Sequence, residues 1–252
     1  MKADRSISIK TPAELKILRE AGKILAAIIN EIQCSLQSSV TTRDIDQRVE
    51  KAILEHNVRP AFKGYRGFPN SSCISVNEEV VHGIPCDRIL KDGDIVSLDV
   101  GIIYNNYYSD TAITVGIGAI TLELQRLLQV TYESLYKGID AARTGNHLFD
   151  ISHAIQMHVE GNHFSVVREF VGHGIGKYLH EDPEIPNFGQ AHQGPVLKEG
   201  MVLAIEPMVN LGKGQTKVLS DGWTVVTQDG KPSAHFEHTV AIGQNGPEIL
   251  TQ

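Results

Sequence analysis

The 252-residue sequence has little of what marks several classes of protein. Its three cysteines, Cys34, Cys73 and Cys86, have neither the even number of a disulfide framework nor the spacing of a zinc finger. The longest apolar run, residues 24–29, is far too short to span a bilayer. The N-terminal MKADRSISIK lacks the apolar core of a signal peptide. We therefore expect a cytoplasmic protein with no membrane segment.

Positive charge is also scarce. The chain has 23 Lys and Arg residues against 30 Asp and Glu, for a formal net charge of -7. Because nucleic-acid binding depends on clustered Lys and Arg, this balance argues against nucleic acid as a specific partner. A hydrophobic content of 41% supports a full core, and the length fits one large or two small folding units.

The spacing of apolar residues predicts four helices and a set of strands. Thr11-Pro12-Ala13-Glu14 is a capping box that begins the first helix. The second helix is expected near Thr42 and the third after Thr121, and apolar residues at helical spacing mark a fourth over 148–159. Strands are predicted over residues 74–81, 95–104, 110–115, 166–171, 201–210, 223–228 and 234–242, with a surface loop over 60–70.

An internal repeat relates the two halves of the chain. KDGDIVSLDVG (residues 91–101) is similar to KEGMVLAIEPM (198–208), and DTAITVG (110–116) is similar to EHTVAIG (237–243). The two matches occur in the same order, and each aligns one acidic residue with another. They indicate a duplicated unit rather than two chance similarities.

The repeat predicts an α+β fold with pseudo-twofold symmetry. Each half contributes helix, helix and strands, and short connections between sequential strands favour a central antiparallel sheet with helices on one face. We expect a single catalytic domain over residues 1–252, with halves of about 1–118 and 119–252.

Four acidic residues occupy matching positions in the two halves: Asp99, Asp110, Glu206 and Glu237. Residues two apart on a strand share a face, and the neighbours on that face, Ser97 and Ala204, are small. Four adjacent carboxylates cannot all ionise without a counter-charge, so they either share protons or bind metal. Each acid alone could be a surface residue at a strand end, but the matched positions favour metal.

The stretch GHGIGKYLHEDPEIP, residues 172–186, offers a nitrogen ligand, either His173 or His180. A phosphate-binding loop is disfavoured because no Lys-Ser/Thr helix start follows the glycines. The alternating glycines instead suit a backbone that passes close to a crowded site. A carboxylate set joined by histidine suits Mn²⁺, Fe²⁺, Co²⁺ or Zn²⁺.

Together these residues resemble the methionine aminopeptidases of the short bacterial type I form, and the similarity extends through VNEEVVHGIP (residues 76–85) to nearly the whole chain. The resemblance implies the pita-bread fold and two divalent metal ions. It also implies removal of the initiator methionine from nascent polypeptides, with preference for a small second residue. The metal ligands it implies are Asp99, Asp110, His173, Glu206 and Glu237.

The resemblance further assigns individual roles. A hydroxide shared by two metals about 3.5–4 Å apart would attack the scissile carbonyl, with Glu206 as proton shuttle. His180 would bind the carbonyl oxygen, and His82 would lie near the scissile amide nitrogen. Asn77 and Ser233 resemble contributors to a monovalent-cation site. The residues that resemble the wall of the methionine pocket are Tyr65, Phe68, Cys73 and Trp223, together with Phe62 and Leu179, which differ from the Cys and Phe of some relatives.

Two other classes of protein share parts of this pattern. A Xaa-Pro aminopeptidase or prolidase would share the fold and ligands, but typically carries a separate N-terminal domain of more than a hundred residues, whereas fewer than a hundred precede Asp99 here. A non-enzymatic peptide- or ribosome-binding relative would usually have lost ligands, and all five are present. We therefore expect an enzyme, monomeric and without a membrane partner, with the ribosome as a further partner.

Overall fold

A computed structural model of the protein describes residues 7–252. Residues 1–6, part of the N-terminal stretch judged to lack a signal peptide, lie outside the described residues. The helices are Pro12–Gln33 (α1), Thr42–Glu55 (α2), Leu122–Ala141 (α3) and Leu148–Gly161 (α4), with a short 3₁₀-helix at Tyr65–Gly67. The strands of the first half are Arg59–Pro60 (β1), Ser72–Val76 (β2), Glu79–Val81 (β3), Ile95–Tyr104 (β4) and Tyr107–Gly116 (β5). Those of the second half are Ser165–Val166 (β6), Gly172–Gly174 (β7), Glu181–Ile185 (β8), Val202–Ile205 (β9), Met208–Asn210 (β10), Thr216–Val218 (β11), Val225–Thr227 (β12), Ser233–His235 (β13), Glu237–Gly243 (β14) and Gly246–Ile249 (β15).

Threonine side chains begin the first three helices. Thr11, Thr41 and Thr121 each accept a hydrogen bond from the backbone N–H three residues further on. These bonds satisfy N–H groups that have no partner within the helix. Glu14 and Asp44 complete capping boxes at α1 and α2. The predicted helix starts are confirmed, and none of the four helices is long and apolar enough to cross a membrane.

A nine-stranded antiparallel sheet joins the two halves. Its main strand order is β1-β4-β5-β14-β9-β7-β8, with β2 paired to β4 and β15 paired to β14. At its centre β5 pairs with β14, so that Glu237 lies opposite Ala112 and His238 opposite Thr111. The smaller sheets have the orders β13-β10-β6 and β11-β12-β3.

The repeated sequence corresponds to repeated structure. The turns at residues 91–94 and 198–201 precede β4 and β9, and in each the N–H of the fourth residue donates to the lysine carbonyl at 3.1 Å. Gly93 and Gly200 occupy the third position with φ angles of 95° and 86°. Residues with a side chain rarely adopt this conformation, which explains why both turns carry glycine at the same place.

The helices cover one face of the large sheet and the four acids lie on the other. Alternate residues of β4, Val96, Leu98 and Val100 among them, are buried in a core with α1 and α2. Leu203 and Val240 pack in the corresponding core with α3 and α4. Burying a large apolar side chain contributes about 1.5–3 kcal/mol. Since neighbouring residues on a strand face opposite sides, these cores turn the acids away from the helices.

Three predicted strands are each broken once. The segment over 74–81 turns at Asn77, whose φ is 56°, and the segment over 201–210 breaks at Glu206-Pro207. The segment over 234–242 breaks at Phe236, whose N–H donates to the Pro207 carbonyl at 3.4 Å. Apolar alternation continues across the breaks in 201–210 and 234–242, which is why periodicity alone predicted unbroken strands there. In 74–81 the three polar residues 77–79 mark the turn.

Two further predictions were wrong in extent. Of the segment predicted as a strand over 166–171, only Val166 lies in a strand, the two-residue Ser165–Val166. The passage over 60–70 was predicted as a surface loop, but Phe62 and Phe68 within it are 7% and 3% exposed. Its glycines and prolines marked irregular backbone correctly, whereas burial depends on tertiary contacts that composition does not show.

Candidate active site

Four adjacent strands bring the four acids together. Asp99 lies in the middle of β4 and Asp110 in β5, where it pairs with Gly101 of β4. Glu237 begins β14, and Glu206 directly follows β9, the next strand in the sheet. All four therefore reach the same region of the helix-free face, two from each half of the chain.

His173 completes this group from β7. A Cβ atom on Gly172 or Gly174, the residues on either side of it, would overlap a backbone carbonyl oxygen of a neighbouring segment. Gly172 thus lets β7 approach β9, and Gly174 lets it approach β8, as the sequence indicated for a crowded site. His173 Nδ1 lies 2.9 Å from the Gly174 carbonyl. Because a carbonyl only accepts, Nδ1 carries the proton, and Nε2 presents a lone pair to the acids.

The distances suit metal ligation. One ligand atom from each of Asp110, His173 and Glu237 lies within 4.8 Å of the others. Glu206 Oε1 is 3.6 Å from His173 Nε2. Asp99 lies opposite Cys73 in the pairing of β4 with β2.

Burial dominates the electrostatics of the carboxyl groups. It raises the pKa of Asp99 and that of Glu206 to about 7. Burial also raises the pKa of Asp110 and that of Glu237 well above the ordinary values, and the neighbouring carboxylates raise them further. Desolvation opposes ionisation of a buried acid, and nearby like charges oppose it again.

The same groups lack hydrogen-bond partners. Among the described residues, one buried oxygen each of Asp99, Asp110 and Glu237 has none. Leaving a buried polar atom unpaired costs about 1–3 kcal/mol. Within residues 7–252, none of the four acids pairs with Lys or Arg. The set of four carboxyl groups and one imidazole is thus short of both hydrogen-bond partners and paired positive charge among the described residues. Such a donor set fits two divalent cations.

The acids form the floor of a cleft of about 660 Å³, open mouth included. Its lining contains every residue predicted as a metal ligand, as a catalytic group or as a pocket wall: Phe62, Tyr65, Phe68, Cys73, His82, Asp99, Asp110, His173, Leu179, His180, Glu206, Trp223 and Glu237. The structure therefore brings these side chains together, and their separate roles remain predictions.

Two histidines face this cleft beside the acids. The Tyr65 hydroxyl lies 2.9 Å from His180 Nδ1, and the rings of His180 and His173 are 4.3 Å apart. His82 packs edge-on against Phe170 at 5.7 Å between ring centroids. Desolvation lowers the pKa of His82 to about 4 and that of His180 to about 3, so both rings are neutral at pH 7.

The apolar part of the cleft borders the acids directly. Phe68 and Trp223 make an edge-to-face contact at 5.1 Å. Phe62 and Leu179 are 7% and 2% exposed, and Cys73 is buried beside them. Such a pocket offers apolar and polarisable contacts, which suit an unbranched thioether side chain.

The structure adds two residues that the sequence pattern did not reveal. Arg66 lines the cleft mouth, with its guanidinium 5.3 Å from the Tyr65 ring centroid. His235 is buried with Nε2 3.6 Å from Glu206 Oε2. A period-two spacing before Glu237 could have indicated His235, whereas nothing in the residue pattern singled out Arg66.

Asn77 and Ser233, predicted as a monovalent-cation site, are neighbours outside this lining. The Ser233 N–H donates to the Asn77 carbonyl at 2.9 Å. The Asn77 side chain donates to Asp94 at 2.8 Å and accepts from the Ile95 N–H at 3.0 Å. Cation binding there stays a prediction.

The sequence and fold match known proteins over nearly their whole length. The model of metallopeptidase family M24 matches residues 16–244. Methionine aminopeptidase 1 of Bacillus subtilis is 54% identical over 246 residues, which are 98% of this chain and 99% of that protein. The crystal structure of methionine aminopeptidase from Rickettsia prowazekii has a TM-score of 0.97 and 42% identity, covering 98% of this chain and 100% of that one. Prolidase from Pyrococcus furiosus shares the fold, with a TM-score of 0.78 and 24% identity over 97% of this chain and 65% of that one.

The chain therefore belongs to metallopeptidase family M24, a class of peptide hydrolases that use divalent metal, and has the pita-bread fold. Within that family it belongs to the methionine aminopeptidases, which it matches from end to end in both sequence and structure. The predicted family, fold and enzyme class are confirmed.

Proposed function

We propose that this enzyme removes the initiator methionine from nascent polypeptides with two divalent cations, and prefers a small second residue. One observation carries the proposal: five metal-ligand candidates from both halves meet beside an apolar pocket in one cleft. Asp99 and Asp110 come from the first half, and His173, Glu206 and Glu237 from the second. Residues 1–118 and 119–252 would thus act as a single catalytic domain, since neither half holds the full set.

Two cations, when bound, would polarise the scissile carbonyl and lower the pKa of the attacking water. Asp99, Asp110, His173, Glu206 and Glu237, which all line the cleft, would hold these ions. Glu206 Oε1 lies 3.6 Å from His173 Nε2 within this group. Mn²⁺, Fe²⁺, Co²⁺ and Zn²⁺ all suit this donor set.

Glu206 would also move the proton. Its carboxylate would accept a proton from the attacking water and pass it to the leaving amine. The position of Glu206, directly after β9 and among the other candidate ligands in the cleft, supports this role.

His180 would bind the carbonyl oxygen. If the Tyr65 hydroxyl donates to Nδ1 across the 2.9 Å contact, then Nε2 carries the proton and can donate. A donor aimed at an oxygen that gains charge stabilises the transition state. His82, on the opposite wall beside Trp223, would lie near the scissile nitrogen.

The methionine side chain would enter the apolar pocket, with Phe62, Phe68 and Trp223 as its aromatic wall. The imidazoles of His82 and His180 border the same cleft and would leave little room for a large second residue. The cytoplasmic setting, the monomeric state and a contact with the ribosome remain predictions.

The substrate proposal is tested with peptides. We expect turnover of Met-Ala-Ser, much slower turnover of Met-Phe-Ser, and none of Ala-Pro-Ser. Faster cleavage of Ala-Pro-Ser would instead favour the prolidase branch of the fold. That branch is disfavoured because the chain is 54% identical to a methionine aminopeptidase, against 24% identity to the matched prolidase.

The proposed role of Glu206 is tested by Glu206→Gln, which removes the charge at almost constant volume. We expect turnover to fall by about 10²–10⁴-fold, the usual size of a general acid–base contribution. Glu31→Gln, an exposed change on α1, is the matched control and should have no effect. Undiminished turnover in Glu206→Gln would refute the shuttle.

A further inference from the structure

His235 is a buried histidine whose imidazole has no role in the mechanism above. It ends β13, is 2% exposed, and its Nε2 has no hydrogen-bond partner among residues 7–252. An unpaired buried polar atom is destabilising, so an apolar side chain would serve packing better here. A buried histidine at this cost calls for a functional reason.

The backbone of His235 is held on both sides by one hydroxyl. Its N–H donates to Thr114 Oγ1 at 2.9 Å, and its carbonyl accepts from Thr114 Oγ1 at 2.6 Å. That hydroxyl has one proton, so the neighbouring Ser97 hydroxyl, 2.8 Å away, must donate to it. Ser97 lies on β4, two residues before Asp99. The strand that carries Asp99 thus also positions the His235 backbone, through Ser97 and Thr114.

The imidazole points at the free side of Glu206. Glu206 Oε1 faces His173 Nε2 at 3.6 Å, and Glu206 Oε2 faces His235 Nε2 at 3.6 Å. The carboxyl group therefore lies between two imidazoles that are held on different strands. His173 presents a lone pair there, because its Nδ1 proton goes to the Gly174 carbonyl. An ionised carboxylate only accepts, so a favourable contact with His235 requires the proton on its Nε2.

We propose that His235 is a positioning residue, which directs its Nε2–H at Glu206 Oε2 across 3.6 Å, a polar contact too long for a hydrogen bond, and so keeps Oε1 turned toward His173 and the metal ligands. It would touch neither the metal nor the peptide. Mutation of a residue that orients a metal ligand typically costs about 10–100-fold in metal affinity or activity. This inference rests on the proposed function, in which Glu206 is both ligand and proton shuttle.

The test compares two substitutions in the full chain. His235→Leu removes the donor and keeps an apolar volume, whereas His235→Gln keeps an N–H donor. Mn²⁺ is titrated calorimetrically into metal-free protein. We expect His235→Leu to weaken Mn²⁺ binding by about 10–100-fold. We expect His235→Gln to retain most of the affinity. For Met-Ala-Ser at saturating Mn²⁺, kcat should fall in His235→Leu with little change in KM.

Thermal unfolding of the metal-free proteins separates positioning from packing. Without metal, His235→Leu should be at least as stable as the parent, because it removes an unpaired buried atom. A lower Tm in metal-free His235→Leu would indicate a packing role and overturn the proposal. Wild-type Mn²⁺ affinity in His235→Leu would do so as well, and so would an equal loss in both variants.

The failure of this inference is distinguishable from that of the proposed function. If the parent enzyme does not cleave Met-Ala-Ser after reconstitution, the proposed function fails. The Mn²⁺ titrations do not use the peptide, so their outcome still decides whether His235 positions Glu206.

Discussion

Gly101→Ala should narrow the methionine pocket through Phe62. Gly101 lies on β4, two residues beyond Asp99 and on the same face. A Cβ atom there would lie 2.7 Å from Phe62 Cε1 and 3.0 Å from the Ala61 Cβ. Ordinary van der Waals contact begins near 3.4 Å, so the Phe62 ring has to move by about 0.7 Å, the difference between 3.4 and 2.7 Å. Since Phe62 lines the cleft, this movement changes the pocket wall.

Two opposing effects set the change in stability. Overpacking a core position costs about 1–3 kcal/mol. Replacing glycine by alanine in an unstrained conformation returns about 0.4–1 kcal/mol by restricting the unfolded chain. The net effect of Gly101→Ala is then a loss of about 1–2 kcal/mol, and Tm should fall by about 2–8 °C for a chain of this size.

The assay is a double-mutant cycle between Gly101→Ala and Phe62→Leu, read by urea unfolding and by kcat/KM for Met-Ala-Ser. Alone, Gly101→Ala should lower kcat/KM on the order of tenfold, the effect of about one methylene in an apolar pocket. With Phe62→Leu present, its effect on stability should largely vanish, because contacting residues couple.

Gly161→Ala is the matched control for this cycle, because a Cβ atom at that helix terminus meets nothing within 4 Å. It should leave stability and activity unchanged or slightly improved. If Gly101→Ala behaved in the same way, or if its effect were independent of Phe62, the steric argument would be wrong.

Three further predictions concern the buried acids, Asp46 and Arg66. In metal-free protein the folded-state pKa of Asp99 and of Glu206 is about 7, above the ordinary 3.8 and 4.5. These two groups therefore contribute their whole stabilisation of the folded state below about pH 4, and this contribution is lost as pH rises through about 7. The free energy of unfolding falls by at most about 1.4 kcal/mol per pH unit for each group. Below about pH 6.5 the lowered pKa values of His82 and His180 oppose this trend, because the unfolded chain then binds protons that the folded rings do not. Chelator-treated protein should therefore lose Tm between about pH 6.5 and pH 8, and a rise over that window would contradict the pKa directions. The buried Asp46 side chain accepts four hydrogen bonds from residues 70–72 at 2.7–3.0 Å. Asp46→Asn should therefore lower the free energy of unfolding in urea by about 2–4 kcal/mol. A decrease below about 0.5 kcal/mol would show that these bonds contribute little. Arg66→Gln removes a positive charge from the cleft mouth, where it would attract an acidic third residue of the peptide. The ratio of kcat/KM for Met-Ala-Glu to kcat/KM for Met-Ala-Lys should then fall by a few-fold, with the largest effect at low salt. An unchanged ratio would show that Arg66 does not interact with this residue.

The internal repeat is the feature that made the site predictable. Asp99 and Glu206 stand at equivalent positions after equivalent turns, so two unexplained acids in apolar strands became one convergent set. Their arrival on the helix-free face follows from strand alternation alone. The setting among glycines narrowed the nitrogen ligand to two histidines, and the resemblance then implied His173. The structure places His173 among the acids.

Other features depend on contacts between distant segments. The passage over 60–70 has the composition of a loop, yet Phe62 and Phe68 are buried because β4 and Trp223 lie against them. The break at Glu206-Pro207 is hidden by continuous apolar alternation, although proline cannot donate to a strand ladder. The spacing before Glu237 could indicate that His235 faces the same side, but its contact with Glu206 follows only from the folded position of β13.

The most direct test of the account is turnover of metal-stripped protein, followed by reconstitution with measured equivalents of Mn²⁺, Co²⁺ or Fe²⁺. The buried acids have neither cationic side chains nor a full set of hydrogen bonds in the described residues, so divalent cations are expected to complete the site. The stripped protein should not cleave Met-Ala-Ser, and activity should return as the ions bind, up to two per chain. Full activity in protein shown to be free of metal would contradict the central claim.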